Sequence, residues 1–163
     1  MGTDYHYHIC HRTKDNKWEE VCLYSKNRET GEFEPVYISY GRNHNLYKYL
    51  HEREMVKKFS VDCAAGAFKE LLEDRFPKSK DFTGYFDLEY VNFADLQIFV
   101  YKNPCIKYDD YDEYNDVDYD DNYMIDNPLT ILIKDVEKYI DLATDAYDSD
   151  VASDYSIVMY CDC

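Results

Sequence analysis

The chain has 163 residues, 45% of them hydrophobic and 17% aromatic, enough for one domain with a sizeable core and too apolar for wholesale disorder. Its formal charge is −16, and residues 108–163 hold only Lys134 and Lys138 against seventeen acids, while residues 1–107 hold sixteen Lys and Arg against seventeen acids. A field of one sign on one part of a fold repels phosphates and attracts cations, which argues against direct DNA or RNA binding and for a basic partner.

Residues 4–12, DYHYHICHR, alternate Tyr5, Tyr7 and Ile9 against His6, His8 and Cys10, the period of two that predicts a strand. Lys14-Asp15-Asn16-Lys17 turns the chain into WEEVCLYS, a second strand, and Glu29-Thr30-Gly31-Glu32 turns it into FEPVYISY, a third. Pro35 fits an edge or strand start, where a missing N–H does no harm. Gly41 to Asn45 breaks the sheet and caps a short helix over LYKYLHE. Ser60 is an N-cap for a helix carrying Val61, Ala64, Ala65, Phe68, Leu71, Leu72 and Phe76 on one face, and Pro77 stops it.

FDLEYV is a short strand, and Asn92 can cap a turn or short helix over FADLQIFVYK, whose IFVY run reads equally as strand. Asn127-Pro128 starts a helix to about Tyr147 with Leu129, Leu132, Ile133, Val136, Ile140, Ala143 and Tyr147 on its core stripe. Asp148-Ser149-Asp150 ends it, and DYSIVMYCDC is a final strand. This order predicts an α+β fold in a single domain, residues 1–163: a mainly antiparallel sheet with about three helices packed on one face.

Between the last two helical segments lies YDDYDEYNDVDYDDNYMID, residues 108–126, with nine acids and five tyrosines. As a calcium loop starting at Asp116 it has Asp121 where the sharp turn needs glycine and Asn127 where a bidentate Glu belongs. Disorder is the simplest alternative, yet the tyrosines recur every three to five residues, and Tyr123, Met124 and Ile125 lead straight into a helix, which implies partial docking. Carboxylates answer phosphate-binding cations, and tyrosines stack on guanidinium groups. The expected contact residues are therefore Asp109, Asp110, Tyr111, Asp112, Glu113, Tyr114, Asp116, Asp118, Tyr119, Asp120 and Asp121.

The opening residues MGTDYHYHICHR contain no apolar signal segment, and position 6 is His6 rather than the Ser or Thr of a myristoylation site. Cytosolic location with reduced cysteines is the expectation, and no apolar run approaches a membrane span. His6 and His8 leave a strand on one side, so they can share a zinc ion if the terminal strand lies alongside and supplies Cys161 and Cys163. Such a zinc would be structural. Cys63 stands near a predicted helix start, where a thiol can be activated, but within CAAGAF it reads as a small core residue. No nucleophile elbow, P-loop, Rossmann pattern or HExxH is present. His44, His51, Glu19, Glu20 and Asp4 are the remaining candidates for acid–base work, and nothing in the sequence selects among them.

Gly2, Asp4 and His6, with Gly41, Arg42, Asn43, Leu46, Tyr47 and Leu50 and the terminal Asp162, resemble phage-encoded proteins of unknown activity. Those proteins open Met-Gly-Cys-Asp-Ile-His, carry an acid at position ten and a Gly-Arg-Asn element before a Leu/Phe-rich helix, and end in an apolar strand closing on aspartate. Thr3 and Cys10 depart from that pattern. The resemblance covers about the first fifty residues and the last ten, and implies phage or prophage origin with a polar or metal cluster around Asp4 and His6. Joined to the charge of the last third, it leads to an expected function: an anti-defence inhibitor, by analogy an anti-CRISPR protein, that occupies a basic nucleic-acid channel of a Cas nuclease without catalysis. The alternative is a zinc-dependent enzyme or small-ligand-binding protein using the N-terminal histidines.

Overall fold

A computed structural model of the protein describes residues 4–21, 23–36, 38–41, 43–75, 88–111, 123–143 and 152–162. Strand β1 (Asp4–Arg12) is the alternating segment, and a turn closed by Thr13 N–H to Lys17 O at 2.7 Å leads into β2 (Trp18–Glu20). The second and third predicted strands each divide in two. WEEVCLYS becomes β2 and β3 (Leu23–Lys26), and FEPVYISY becomes β4 (Phe33–Val36) and β5 (Ile38–Gly41). Strands β3 and β4 form a separate two-stranded ribbon, with Pro35 opposite Tyr24. The division follows from hydrogen-bond supply: β2 covers only Cys10 to Arg12 of the nine-residue β1, and β5 returns to the same edge to cover Tyr5 to Tyr7.

Helix α1 (His44–Glu52) starts where the Asn43 side chain accepts the Leu46 N–H at 3.1 Å, as expected from the sequence. After the edge strand β6 (Lys57–Lys58), Ser60 caps only a 3₁₀ turn at Val61–Cys63, so the single helix predicted from Ser60 onward is corrected. The chain first extends at Ala64, beside Trp18, and Ala65 N–H donates to Trp18 O at 2.7 Å. It turns at Gly66, whose φ of +59° suits a residue without Cβ, and only then runs as α2 (Gly66–Arg75).

Strand β7 (Glu89–Asn92) leads directly into α3 (Phe93–Lys102), which settles the helix-or-strand ambiguity. The Asn92 carboxamide oxygen accepts from Ala94 and Asp95, which commits the next residues to helical turns. A short hairpin of β8 (Cys105–Lys107) and β9 (Met124–Asp126) precedes α4 (Leu129–Ala143) and the final strand β10 (Tyr155–Asp162). Asn127 is 1% exposed and accepts the Leu129 N–H at 3.0 Å, confirming it as the cap of α4. Phe76, Pro77, Tyr147 and the expected helix end at 148–150 lie outside the described residues.

The fold is α+β. The main sheet runs β2-β1-β10-β7-β6 with antiparallel neighbours, and β5 shares with β2 one edge of β1. Four helices, rather than about three, pack on it among the described residues, and they take both faces rather than one. Tyr5, Tyr7, Ile9, Val91, Ile157 and Met159 meet α1, α3 and α4 on one side. Cys10, Trp18, Val158 and Tyr160 meet Phe68 and Leu72 of α2 on the other. The second face reads as polar in the sequence because its β1 residues are His6, His8 and Cys10. Imidazole rings and a thiol nonetheless pack well against aromatic side chains once their polar atoms are satisfied. Among the described residues, no helix is long and apolar enough to cross a membrane.

Candidate partner-binding site

The two described ends of the acidic stretch lie together at the β8–β9 hairpin. Ile106 and Ile125 pair across it, with Ile106 buried and Ile125 packed against the core, and Tyr108 N–H donates to Tyr123 O at 2.9 Å. The Tyr108 and Tyr123 rings meet edge to face at 6.2 Å at the end of this hairpin. A 3₁₀ turn at Tyr108–Asp110 then presents Asp109 and Asp110 to solvent.

Tyr111 fastens this turn to α1. Its ring lies edge-on to Tyr49 at 5.8 Å, and its hydroxyl is 3.4 Å from the Asn43 carboxamide oxygen that also caps the helix. At the other end of α1, an Arg53 guanidinium nitrogen lies 3.7 Å from an Asp110 oxygen, and its Cζ sits 4.8 Å from the Tyr49 ring centre. The partial docking expected from the tyrosine spacing is thus present at both described ends of the stretch. Of the expected contact residues, Asp109, Asp110 and Tyr111 are described and adjacent. Asp112, Glu113, Tyr114, Asp116, Asp118, Tyr119, Asp120 and Asp121 lie outside the described residues.

The first and last strands do lie side by side, the arrangement a zinc site on them requires. Their register sets His6 opposite Tyr160, His8 opposite Val158 and Tyr5 opposite Cys161. Cys161 is therefore one position beyond the partner of His6 and three beyond the partner of His8, out of step with both along the ladder, and Cys163 lies outside the described residues. The Tyr160 ring stacks on His6 at 4.8 Å and on His8 at 5.4 Å. His8 Nδ1 is 2.7 Å from Glu20 Oε1, and Phe68 of α2 covers the His8 ring. Among the described residues, no three His, Cys, Asp or Glu side chains gather as a metal-holding group.

The cysteines behave differently from their sequence neighbourhoods. Cys10 is fully buried, and burial, with Glu20 nearby, pushes its thiol well above the ordinary value, so it stays protonated. Cys63, expected as a small core residue, is exposed in the 3₁₀ turn, and the core position falls to Ala64.

A second polar cluster gathers His44 and His51, both candidates from the sequence, with Tyr47 and with Glu89, the last of which the sequence does not mark. Glu89 is 9% exposed, and its Oε2 accepts from Tyr47 Oη at 2.6 Å and pairs with His51 Nε2 at 2.7 Å. Tyr47 in turn packs on Tyr5, whose hydroxyl meets His44 Nδ1 at 2.8 Å. The readable signal was the i, i+4 pair Tyr47 and His51 on one face of a short helix. Their acceptor, thirty-eight residues beyond His51, carries no local mark.

Comparison with protein-family models, with curated proteins and with solved structures finds no match.

Proposed function

We propose that the protein is a phage-encoded anti-defence protein, most specifically an anti-CRISPR inhibitor. On this reading it acts in the host cytosol, binds a CRISPR–Cas effector nuclease through its acidic last third, and blocks loading of guide RNA or target DNA without catalysis. The observation that carries it is the separation of charge: the last fifty-six residues hold seventeen acids against two lysines on an otherwise balanced chain. Such a surface competes with a polyanion for the same cations, and association is fast because opposite fields steer encounter. The neck of the stretch, the β8–β9 hairpin with the turn at Tyr108–Tyr111, supports the same reading, because a carboxylate-rich segment held at its base loses less entropy on binding than a free tail.

The test is direct. The purified chain is mixed with a purified effector, and guide and target binding are measured with and without it. Inhibition that weakens as salt rises, and that is lost when Asp109, Asp110, Asp112 and Glu113 become Asn or Gln, is the expected result. Activity that survives those changes but disappears in a folded His6→Ala variant would instead favour a zinc-dependent enzyme or ligand-binding protein. That rival has less support, because the His6 and His8 rings lie against Tyr160 and Phe68 covers His8.

A further inference from the structure

The acidic stretch already holds a guanidinium. Arg53 follows α1, its charge 3.7 Å from Asp110 and its Cζ over the Tyr49 ring, while Tyr111 closes against the same ring from the acidic side. A carboxylate beside an aromatic face is the environment that separates arginine from lysine, because a planar, weakly hydrated cation stacks on a ring and a compact ammonium keeps its water.

We infer, on the footing of the partner reading above, that the neck is an arginine-reading site occupied in cis by Arg53, and that an arginine of the basic partner takes that place. The present occupant is held lightly. The pair is longer than a hydrogen bond, the Arg53 side chain is 33% exposed and that of Asp110 50% exposed, so the ion pair adds little to stability. The Tyr49 ring beneath Arg53 is only 1% exposed, so an incoming guanidinium must cover that ring in its place, while the helix end stays closed by the Arg53 backbone N–H to Tyr49 O and not by its side chain. Arg53 thus acts as a weak internal competitor, and the acids flanking it supply the charge complement that draws an arginine-bearing segment rather than a neutral one.

The experiment titrates the full chain with a capped oligo-arginine peptide and an oligo-lysine peptide of equal length, at fixed moderate salt. The full chain is expected to bind the arginine peptide more tightly. Arg53→Ala is expected to raise that affinity about 3-fold while changing the lysine peptide less, by removing the internal competitor. Asp110→Asn is expected to remove most of the preference. Arg53→Gln, which retains the aliphatic stem, serves alongside, with circular dichroism to establish that each variant is folded. Arginine affinity that is unchanged or reduced in folded Arg53→Ala and Arg53→Gln overturns the site. Equal binding of both peptides, still abolished by neutralising Asp109, Asp112 and Glu113, overturns the arginine selectivity and leaves the partner reading standing. Binding of neither peptide counts against the partner reading and this site together.

Discussion

Glu89 shows what a single buried carboxylate does in this molecule. Two donors on α1 converge on one of its oxygens, so the helix is fixed to β7 by directional contacts as well as by Leu46, Tyr49 and Leu50. Glu89→Ala leaves Tyr47 and His51 without that acceptor. It should lower unfolding stability by about 1–3 kcal/mol in urea titration, with Glu89→Gln losing less; equal, negligible losses would show that the cluster does not fasten α1. His11 makes a pH prediction of definite sign. It is buried against Tyr155, and burial holds its imidazole below the ordinary value, with Asp154 and Glu19 opposing. Above about pH 6.5 it is neutral in both states, and its contribution to stability is complete. As pH falls below that point the unfolded chain takes up the proton first, so stability declines towards the lower folded value. Urea midpoints across this range should fall for the parent and fall less for His11→Gln; parallel curves would contradict the assignment. Neither residue advertises this role in the sequence, since burial depends on which strand lies beside it.

At the scale of elements, caps were the most legible features and strand partners the least. Asn43, Asn92 and Asn127 each bond to N–H groups two or three residues ahead, a contact complete within a few residues of sequence. The division of two predicted strands into four was not legible, because it depends on how much edge β1 leaves uncovered by β2. The Ser60 helix failed for a related reason: a good cap was present, but Trp18 O captured the Ala65 N–H and Gly66 offered a positive φ. Asn127 has a second task, since its side-chain amide also donates to Asn103 O at 2.8 Å and joins α4 to the end of α3. Asn127→Ala should therefore cost about 1–2 kcal/mol in the same titration, with helical content retained below the midpoint. A change under about 0.5 kcal/mol would mean that Pro128 and packing alone define the helix start.

Across the whole molecule, two kinds of information had unequal visibility. The α+β class followed from element order, and the charge separation could be counted directly from the chain. Which sheet face each helix covers could not, because His6, His8 and Cys10 look like a solvent-facing row until Tyr160, Trp18 and Phe68 bury His8 and Cys10 and leave His6 half-buried beside Tyr160. The zinc expectation depended on strand register, and a single-residue shift decides which residues come into step. The acidic stretch stands out by composition, and its docking through Tyr111 is foreshadowed by tyrosine spacing. Its link to Arg53 was hidden, because fifty-six residues lie between Arg53 and Asp110.

The acidic last third is proposed to engage the nucleic-acid channel of a basic partner, and salt dependence is the most direct probe of that contact. The affinity of the purified chain for a purified CRISPR–Cas effector is measured across a salt series, for the parent and for the variant with Asp109, Asp110, Asp112 and Glu113 neutralised. Affinity should fall steeply with salt in the parent and less steeply in the variant, and loading guide RNA and target DNA first should abolish the complex. Binding that is indifferent to salt and to neutralisation, or that persists beside a fully loaded guide and target, would refute the contact.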